Sequence, residues 1–85
     1  MKIIVVVPVY NEEKHLSNFL KKLTKSGYEI VVVDDGSSDS SYKLIQKFKV
    51  HSLRHKTNLG KGSAMKTGAE VAFKLGADTV IFMDA

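Results

Sequence analysis

Three short runs of β-branched and other apolar residues constrain the fold more than any other feature of the sequence. They lie within residues 2–9, 29–33 and 79–83, and each is apolar at consecutive rather than alternate positions. Strands of a parallel sheet that helices cover on both faces have this composition, because neither face meets water. A fourth segment, residues 50–54, alternates apolar and polar side chains, which is typical of a less buried edge strand.

Helical patterns separate these strands. The first has the i, i+3, i+4, i+7 spacing of an amphipathic helix, with an apolar stripe of Leu16, Phe19, Leu20 and Leu23. We expect Asn11 to cap its N-terminus and Gly27 to end it. A second helix is predicted to begin within residues 37–40 and to bury Tyr42, Leu44, Ile45 and Phe48. A third is predicted from about residue 62 to residue 75, with buried positions at Ala64, Met65, Gly68, Ala69, Ala72 and Phe73.

The resulting element order, βαβαβαβ, predicts an α/β fold, a Rossmann-like three-layer unit around a parallel sheet. Right-handed crossovers and the edge-like third strand favour the strand order 3-2-1-4. In that order strands 1 and 4 are neighbours at the switch point of the sheet, where ligands bind at the carboxyl ends. Strand 4 then forms the second edge, although its apolar sequence is that of an interior strand. We therefore expect the chain to be the front part of a larger domain. We also expect the edge at residues 79–84 to pair with a second copy, or the chain to aggregate.

The composition excludes several classes of protein. The 85 residues are 44% hydrophobic and 26% charged, which is typical of a folded globular domain. There is no cysteine, so a disulfide scaffold, a thiolate zinc site and a cysteine nucleophile are excluded. The net charge of +4 permits contact with nucleic acid or an anionic membrane without requiring it. The polar face of the first helix carries four lysines, Lys14, Lys21, Lys22 and Lys25. The simpler interpretation is that they are solvated, and the alternative is that they contact a membrane surface.

Acidic and polar residues collect where three of the predicted strands end. Strand 1 runs into the loop at Tyr10 and Glu12, strand 2 into Asp34 and Asp35, and strand 4 into Asp84. The carboxyl ends of parallel strands lie at one edge of the sheet, so these groups converge. Clustered carboxylates repel one another unless a cation or N–H donors lie among them. Taken alone, Asp34 and Asp35 are better explained as turn residues, but the convergence favours a binding site.

Two smaller signals are less specific. Residues 58–63, NLGKGS, fit neither the P-loop spacing nor the Gly-x-Gly-x-x-Gly pattern. We interpret them as a turn into the third helix, with backbone N–H groups and Lys61 near the predicted site, although a plain helix-start loop explains them equally well. His15, His51 and His55 are scattered along the chain, and solvated or partly packed roles explain them better than metal ligation.

Four motifs, in this order, resemble those of family 2 glycosyltransferases with the GT-A fold, and most closely the dolichyl-phosphate mannose and glucose synthase branch. They are VPVYNEE at 7–13, VVVDDGSSD at 31–39, NLGKG at 58–62 and FMDA at 82–85. Each motif alone is weak, but together they cover essentially the whole chain. The resemblance implies that residues 1–85 are the nucleotide-sugar-binding front part of such a domain.

The resemblance also implies roles for individual residues. Tyr10 would contact the base, Val33 and Asp35 would flank the base and ribose, and Asp34 would support them. Asp84 would be the first acid of an Asp-x-Asp motif that holds Mg²⁺ or Mn²⁺ against the diphosphate. The second acid is not in this sequence, so we expect no catalytic residue within the chain, and at most weak nucleotide binding without turnover. The residues implied for nucleotide binding are Pro8, Tyr10, Glu12, Val33, Asp34, Asp35, Asp84 and Ala85.

The family transfers a sugar from a donor such as GDP-mannose, UDP-glucose or UDP-N-acetylglucosamine to a lipid-phosphate or saccharide acceptor. The resemblance therefore implies a cytoplasmic protein that can act at the cytoplasmic face of the membrane, with no nucleic-acid partner. Two alternatives remain. One is a non-catalytic nucleotide-binding or assembly module. The other is a receiver-type signalling domain, which the sequence favours less because that fold places its acidic pair after strand 1.

Overall fold

Four parallel strands form a single sheet in the computed structural model, which describes residues 1–85. The order across the sheet is β3-β2-β1-β4, as predicted. The predicted alternation of strands and helices is also confirmed. In chain order the elements are β1 (Ile3–Val9), α1 (Glu13–Lys25), β2 (Glu29–Asp34), α2 (Ser41–Ile45), β3 (His51–Arg54), α3 (Lys61–Lys74) and β4 (Thr79–Phe82).

Two apolar clusters, one on each face of the sheet, make the fold a three-layer unit. Successive residues of β1 point to opposite faces. Val5, Val7 and Val9 therefore pack with α1 and α2, whereas Ile4 and Val6 pack with α3. Because both faces are covered, the interior strands are buried along most of their length, as their consecutive apolar residues predicted.

The predicted cap of α1 is wrong. Asn11 lies before the helix with φ 51°, and Glu12 occupies the N-cap position. The side-chain oxygen of Asn11 accepts hydrogen bonds from the backbone N–H groups of Ser38 (2.9 Å) and Asp39 (3.3 Å) instead. A carbonyl oxygen that could cap a helix can equally cross-link two loops, and the sequence does not distinguish the two uses.

The other helices bury fewer side chains than predicted. In α2 the apolar residue that is fully buried is Ile45, while Tyr42, Leu44 and Phe48 are partly buried at the margin of the core. In α3 the buried positions are Ala64, Gly68 and Ala72, with Met65 and Ala69 half-buried. The prediction for Phe73 is wrong, because its side chain is 56% exposed.

The small buried residues of α3 allow it to lie close to the sheet. A Cβ atom added to Gly68 would overlap Cγ1 of Val6 and lie 3.1 Å from Cγ2 of Val33. Since both valines are fully buried, there is no space into which they could move. Gly68 therefore sets the distance between α3 and the centre of the sheet, and with it the position of the N-terminus of α3.

β4 is an outer strand with exposed apolar side chains. It pairs with β1 in the register Ile4↔Val80 and Val6↔Phe82. Ile81 is 39% exposed, Phe82 43% and Met83 39%, so the conflict between an interior-like sequence and an edge position is present in the structure. None of the three helices combines the length and the apolar character that crossing a membrane requires.

Candidate functional site

A cleft of about 440 Å³ opens at the carboxyl ends of β1 and β4, the position predicted from the strand order. Six of the eight site residues predicted from the sequence line it, namely Pro8, Tyr10, Glu12, Asp35, Asp84 and Ala85. The remaining lining residues are Val9, Asn58, Gly60, Lys61 and Ala64. The structure thus brings together the ends of three strands and the N-terminus of α3 around one space.

Val33 and Asp34 do not line the cleft. Both are fully buried, Val33 in the apolar cluster under α3. Asp34 accepts hydrogen bonds from the hydroxyl of Ser37 (2.6 Å) and from its backbone N–H (3.1 Å), and Arg54 Nε lies 3.6 Å away. Asp34 therefore stabilises the turn that follows β2, which is the turn role that its sequence context alone favoured.

Two serine hydroxyls connect this turn to the loop that carries Tyr10 and Glu12. The hydroxyl of Ser37 accepts a hydrogen bond from the backbone N–H of Asn11 at 2.8 Å. The hydroxyl of Ser41 accepts one from the backbone N–H of Glu12 at 2.9 Å. Both serines are buried. Their hydrogen bonds hold the loop after β1 against the segment that leads into α2, and so fix the backbone of Tyr10 and Glu12 at the cleft.

Asp35 anchors the loop before α3, which forms part of the cleft lining. Its Oδ1 accepts a hydrogen bond from the backbone N–H of Leu59 (3.0 Å) and lies 2.8 Å from Nδ1 of His55. Its Oδ2 accepts one from the backbone N–H of Gly60 at 2.8 Å. Burial alone would raise the pKa of Asp35, but the hydrogen bonds from His55, Leu59 and Gly60 outweigh it and hold the pKa below the ordinary value of 3.8. The carboxylate is therefore charged and fixes the entry to α3.

His55 is part of this arrangement, and its contact with Asp35 was not predicted from the sequence. Its Nδ1 faces Asp35 and its Nε2 lies 2.9 Å from the hydroxyl of Thr67 in α3. The backbone N–H of His55 also donates to the carbonyl of Asp34 at 2.9 Å. The partly packed role that was predicted fits its side-chain exposure of 12%. The contact with Asp35 could have been predicted from the position of His55 directly after β3, because β3 lies beside β2 and Asp35 directly follows β2.

An ion pair closes one side of the cleft. Lys61 Nζ lies 2.7 Å from Oδ1 of Asp84, and the two side chains are 61% and 68% exposed. No group of three or more acidic or histidine side chains is arranged to hold a metal ion. Ca²⁺ and Mg²⁺ require about six oxygen ligands. Of the three carboxylates that line the cleft, Asp84 already faces an ammonium group and both oxygens of Asp35 accept backbone hydrogen bonds, so the residues of this chain do not form a metal site by themselves.

The loop before α3 and the start of that helix supply cleft residues that the predicted set left out, namely Asn58, Gly60, Lys61 and Ala64. Gly60 has φ 102°, a conformation that favours glycine, and it occupies the N-cap position of α3. The sequence predicts Lys61 and the backbone of this segment near the site, with a plain loop as the alternative. The cleft position favours the first interpretation.

A second cleft of about 500 Å³ lies at the amino end of the strands, away from this cluster. Its lining includes Gly27, Tyr28, Lys49 and His51. Tyr28 is 46% exposed, which closely matches the 47% of Tyr10. Substitutions in this second cleft can therefore serve as controls for substitutions in the first cleft.

Comparison with known proteins agrees with the motifs and the fold. Residues 4–85 match the family described as Glycosyl transferase family 2. The chain is 35% identical to the UDP-N-acetylglucosamine–dolichyl-phosphate N-acetylglucosaminyltransferase of Methanococcus voltae, over 98% of this chain and 40% of that protein. It is 36% identical to the dolichyl-phosphate beta-glucosyltransferase of Mus musculus, over 95% of this chain and 30% of that protein.

A solved structure shows the same fold. The mannosyltransferase PcManGT from Pyrobaculum calidifontis, in complex with GDP-Man and Mn²⁺, superposes with a TM-score of 0.75 at 23% identity. The match covers 84% of this chain and 24% of that one, so the chain spans less than half the length of each protein compared. With a family match over residues 4–85 and the strand order 3-2-1-4, the chain belongs to glycosyl transferase family 2 and has the fold of a GT-A domain.

Proposed function

We propose that residues 1–85 form the nucleotide-binding part of a glycosyltransferase whose donor is a nucleoside diphosphate sugar. The observation that carries this proposal is the cleft at the switch point of the sheet, where Tyr10, Asp35 and Asp84 meet the N-terminus of α3. Its volume of about 440 Å³ lies within the range of small-molecule sites, roughly 300–1,000 Å³.

Each wall of the cleft offers chemistry that suits one part of such a donor. The ring of Tyr10 is 47% exposed and presents an aromatic face on which a base can stack. Gly60 and Lys61 place the N-terminus of the 14-residue helix α3 at the cleft, where backbone N–H groups and an ammonium group attract phosphate. Pro8 and Val9, at the end of β1, add apolar surface to the lining.

Three of the predicted nucleotide ligands take modified roles in this proposal. Both oxygens of Asp35 already accept hydrogen bonds from the chain, so it positions the cleft wall and has only its remaining lone pairs for a ribose. Val33 and Asp34 support the cleft from beneath, since neither is exposed.

A divalent cation, Mg²⁺ or Mn²⁺, belongs to the proposal for the whole protein only. Within residues 1–85, Asp84 is the carboxylate that the motif resemblance assigns to it, and Lys61 faces that carboxylate. When bound, the cation would neutralise charge on the diphosphate. Its other ligands would have to come from phosphate oxygens, water or residues outside this chain, so we assign no metal site to these residues.

The names of the relatives indicate the acceptor. One relative is a UDP-N-acetylglucosamine–dolichyl-phosphate transferase and another a dolichyl-phosphate glucosyltransferase. We therefore propose that the whole protein transfers a hexose or N-acetylhexosamine to a lipid phosphate at the cytoplasmic face of a membrane. Transfer is assigned to the whole protein and nucleotide binding to residues 1–85. Sugar transfer by residues 1–85 alone would contradict that division.

The exposed edge of β4 adds one proposal about assembly. Its unpaired backbone groups and apolar side chains would pair with the same edge of a second copy when residues 1–85 are studied alone. Sedimentation velocity of the purified chain over a range of concentrations measures this directly. A dispersed monomer at the highest concentration would contradict it.

Calorimetric titration with UDP and with GDP, in the presence of Mn²⁺, tests nucleotide binding. Tyr10→Ala should weaken the preferred nucleotide about fivefold or more, because stacking of one base on an aromatic ring contributes about 1–3 kcal/mol. Tyr28→Ala is the matched control, since it removes an equally exposed tyrosine from the other end of the sheet. Absence of binding to both nucleotides, or equal weakening by the two substitutions, would refute the proposal.

A further inference from the structure

The layer formed by α1 and α2 carries an unusual concentration of lysine. Three residues of α1, Leu16, Leu20 and Leu23, face the sheet, and its exposed lysines lie on the outer side. In α2 the buried residues are Ser41 and Ile45, with an exposed lysine between them in sequence. The outer surface of this layer, which we call the lysine face, contains Lys14, Lys21, Lys22, Lys25 and Lys43, and the exposed Lys47 and Lys49 follow α2 in sequence.

None of these lysines is neutralised by an acidic side chain. The ion pairs of the structure involve Lys2, Arg54, His51, His55 and Lys61 as the basic partners. Between residues 14 and 28 and between residues 40 and 69 the sequence has no aspartate or glutamate. The face is therefore a single-sign surface whose charge is uncompensated along both helices.

Two acidic residues of this layer are engaged in hydrogen bonds between the start of α1 and the segment that leads into α2. Asp39 accepts hydrogen bonds from the backbone N–H groups of Glu13 (3.3 Å) and Ser41 (2.9 Å). Glu13 accepts one from the backbone N–H of Ser40 at 3.0 Å. These bonds hold the carboxylates at the end of the layer beside the cleft, so they leave the rest of the face positive.

The opposite layer has a different charge pattern. In α3, Glu70 lies four residues after Lys66 and four before Lys74, the spacing at which opposite charges attract on a helix. Lys61 is paired with Asp84. The positive net charge of +4 is thus unevenly distributed between the two sides of the sheet.

We propose that the lysine face docks on the surface of an anionic phospholipid bilayer. Lysine-rich surfaces are attracted by the negative potential of such membranes, with about 1 kcal/mol for each lysine near the surface. The apolar side of α1 is buried in the core, so the helix does not insert into the bilayer and the attraction is electrostatic. This inference goes beyond the proposed function, because it concerns a different surface from the nucleotide cleft.

The chemistry of the face favours a membrane over nucleic acid. Proteins that bind single-stranded nucleic acid combine positive charge with exposed aromatic side chains and arginine, on which bases stack. The lysine face has neither, because the aromatic residues of the layer, Phe19, Tyr42 and Phe48, are partly buried in the core and Arg54 is stacked over the Tyr42 ring. Lysine supplies compact, hydrated charges that suit a diffuse array of headgroups.

Vesicle co-sedimentation of the 85-residue chain tests the proposal. We expect binding to vesicles of phosphatidylcholine with about one third phosphatidylglycerol, and none to phosphatidylcholine alone. Raising the salt from about 0.05 M to 0.5 M should release the chain, because the Debye length falls from roughly 14 to 4 Å. Binding to both vesicle types alike, binding to neither, or tighter binding to a single-stranded RNA homopolymer than to the anionic vesicles would each overturn it.

Two double variants distinguish binding through the lysine face from a general effect of net charge. Lys21→Gln with Lys25→Gln removes two lysines from α1, and Lys66→Gln with Lys74→Gln removes two from equivalent middle and final positions of α3. Each lowers the formal net charge from +4 by two. The first pair should reduce partitioning about tenfold or more, since each lysine contributes about fivefold, and the second pair less than about twofold. Lys14→Gln with Lys43→Gln should act like the first pair. Equal losses from both layers would contradict a specific docking face.

Discussion

The contacts of Asp35 lead to a quantitative prediction for the substitution Asp35→Asn. The side chain is 2% exposed and its two oxygens accept from the backbone N–H groups of Leu59 and Gly60 while Oδ1 also faces His55. Asparagine has the same shape but replaces one oxygen with an NH₂ group. That group must then face one of the N–H donors, and the remaining bonds lose the assistance of the negative charge.

The expected cost is about 2–4 kcal/mol in the free energy of unfolding. A hydrogen bond to a charged group contributes about 1.5–3 kcal/mol, and a buried donor left without an acceptor costs about 1–3 kcal/mol. The substituted side chain would retain one carbonyl oxygen, so not all of these contacts are lost together. For 85 residues the total stability is about 4–13 kcal/mol, and the loss is therefore a large share of it.

The effect should depend on pH with a definite sign. The hydrogen bonds lower the pKa of Asp35 below 3.8 in the folded chain, despite the opposing effect of burial. A lowered pKa stabilises the fold fully at pH values above the unfolded pKa, and this contribution is lost as the pH falls through the folded pKa. The difference in stability between the natural chain and Asp35→Asn should thus be constant above about pH 5 and should shrink below pH 3.8.

Urea denaturation followed by circular dichroism, repeated across this pH range, measures both quantities. Asp84→Asn provides the control, because its exposed ion pair with Lys61 should contribute about 0–1 kcal/mol. A loss below about 0.5 kcal/mol for Asp35→Asn, or a loss that grows as the pH falls below 3.8, would show that Asp35 is not the anchor of the loop before α3.

Two further predictions concern the packing of α3 against the sheet and the role of Asp84. Gly68→Ala should destabilise the fold by about 1–3 kcal/mol in urea denaturation, because the added methyl overlaps buried Val6. Gly62→Ala, where the methyl meets nothing within 4 Å in the same helix, should be neutral or stabilising, and a similar loss for both would contradict the packing argument. In the whole protein, Asp84→Asn should leave the fold intact but reduce the gain in nucleotide affinity on adding Mn²⁺, as measured by calorimetry. An unchanged gain would remove Asp84 from the proposed cation contacts.

The fold could be predicted from the sequence because short segments of a few residues indicate where each strand lies in the sheet. Consecutive apolar residues in β1 and β2 require cover on both faces, and the polar alternation at residues 50–54 requires an edge position for β3. Together with right-handed crossovers these features leave few strand orders, and the observed order β3-β2-β1-β4 is the one predicted.

The site could be predicted at the level of strand ends, but not at the level of individual contacts. Tyr10 and Asp84 follow strands, so the sheet alone brings them to one edge. The partners of Asn11 and Asp35 lie in loops more than 20 residues away, and nothing in their own sequence context distinguishes a cap or ligand from a loop anchor. The expectation for Phe73 is wrong because the buried row of α3 is Ala64, Gly68 and Ala72, and the residue that follows this row is rotated about 100° away from it around the helix.

The central claim is that the cleft at the carboxyl ends of β1 and β4 binds a nucleoside diphosphate. Mapping of amide chemical-shift changes by NMR during titration with UDP or GDP tests it most directly, since each wall of the cleft has its own reporter. We predict changes at Tyr10, Gly60 and Ala85, which line this cleft, with Gly27 and Lys49 of the cleft at the amino end unchanged. Changes confined to the amino-end cleft, or none at saturating nucleotide, would contradict the account.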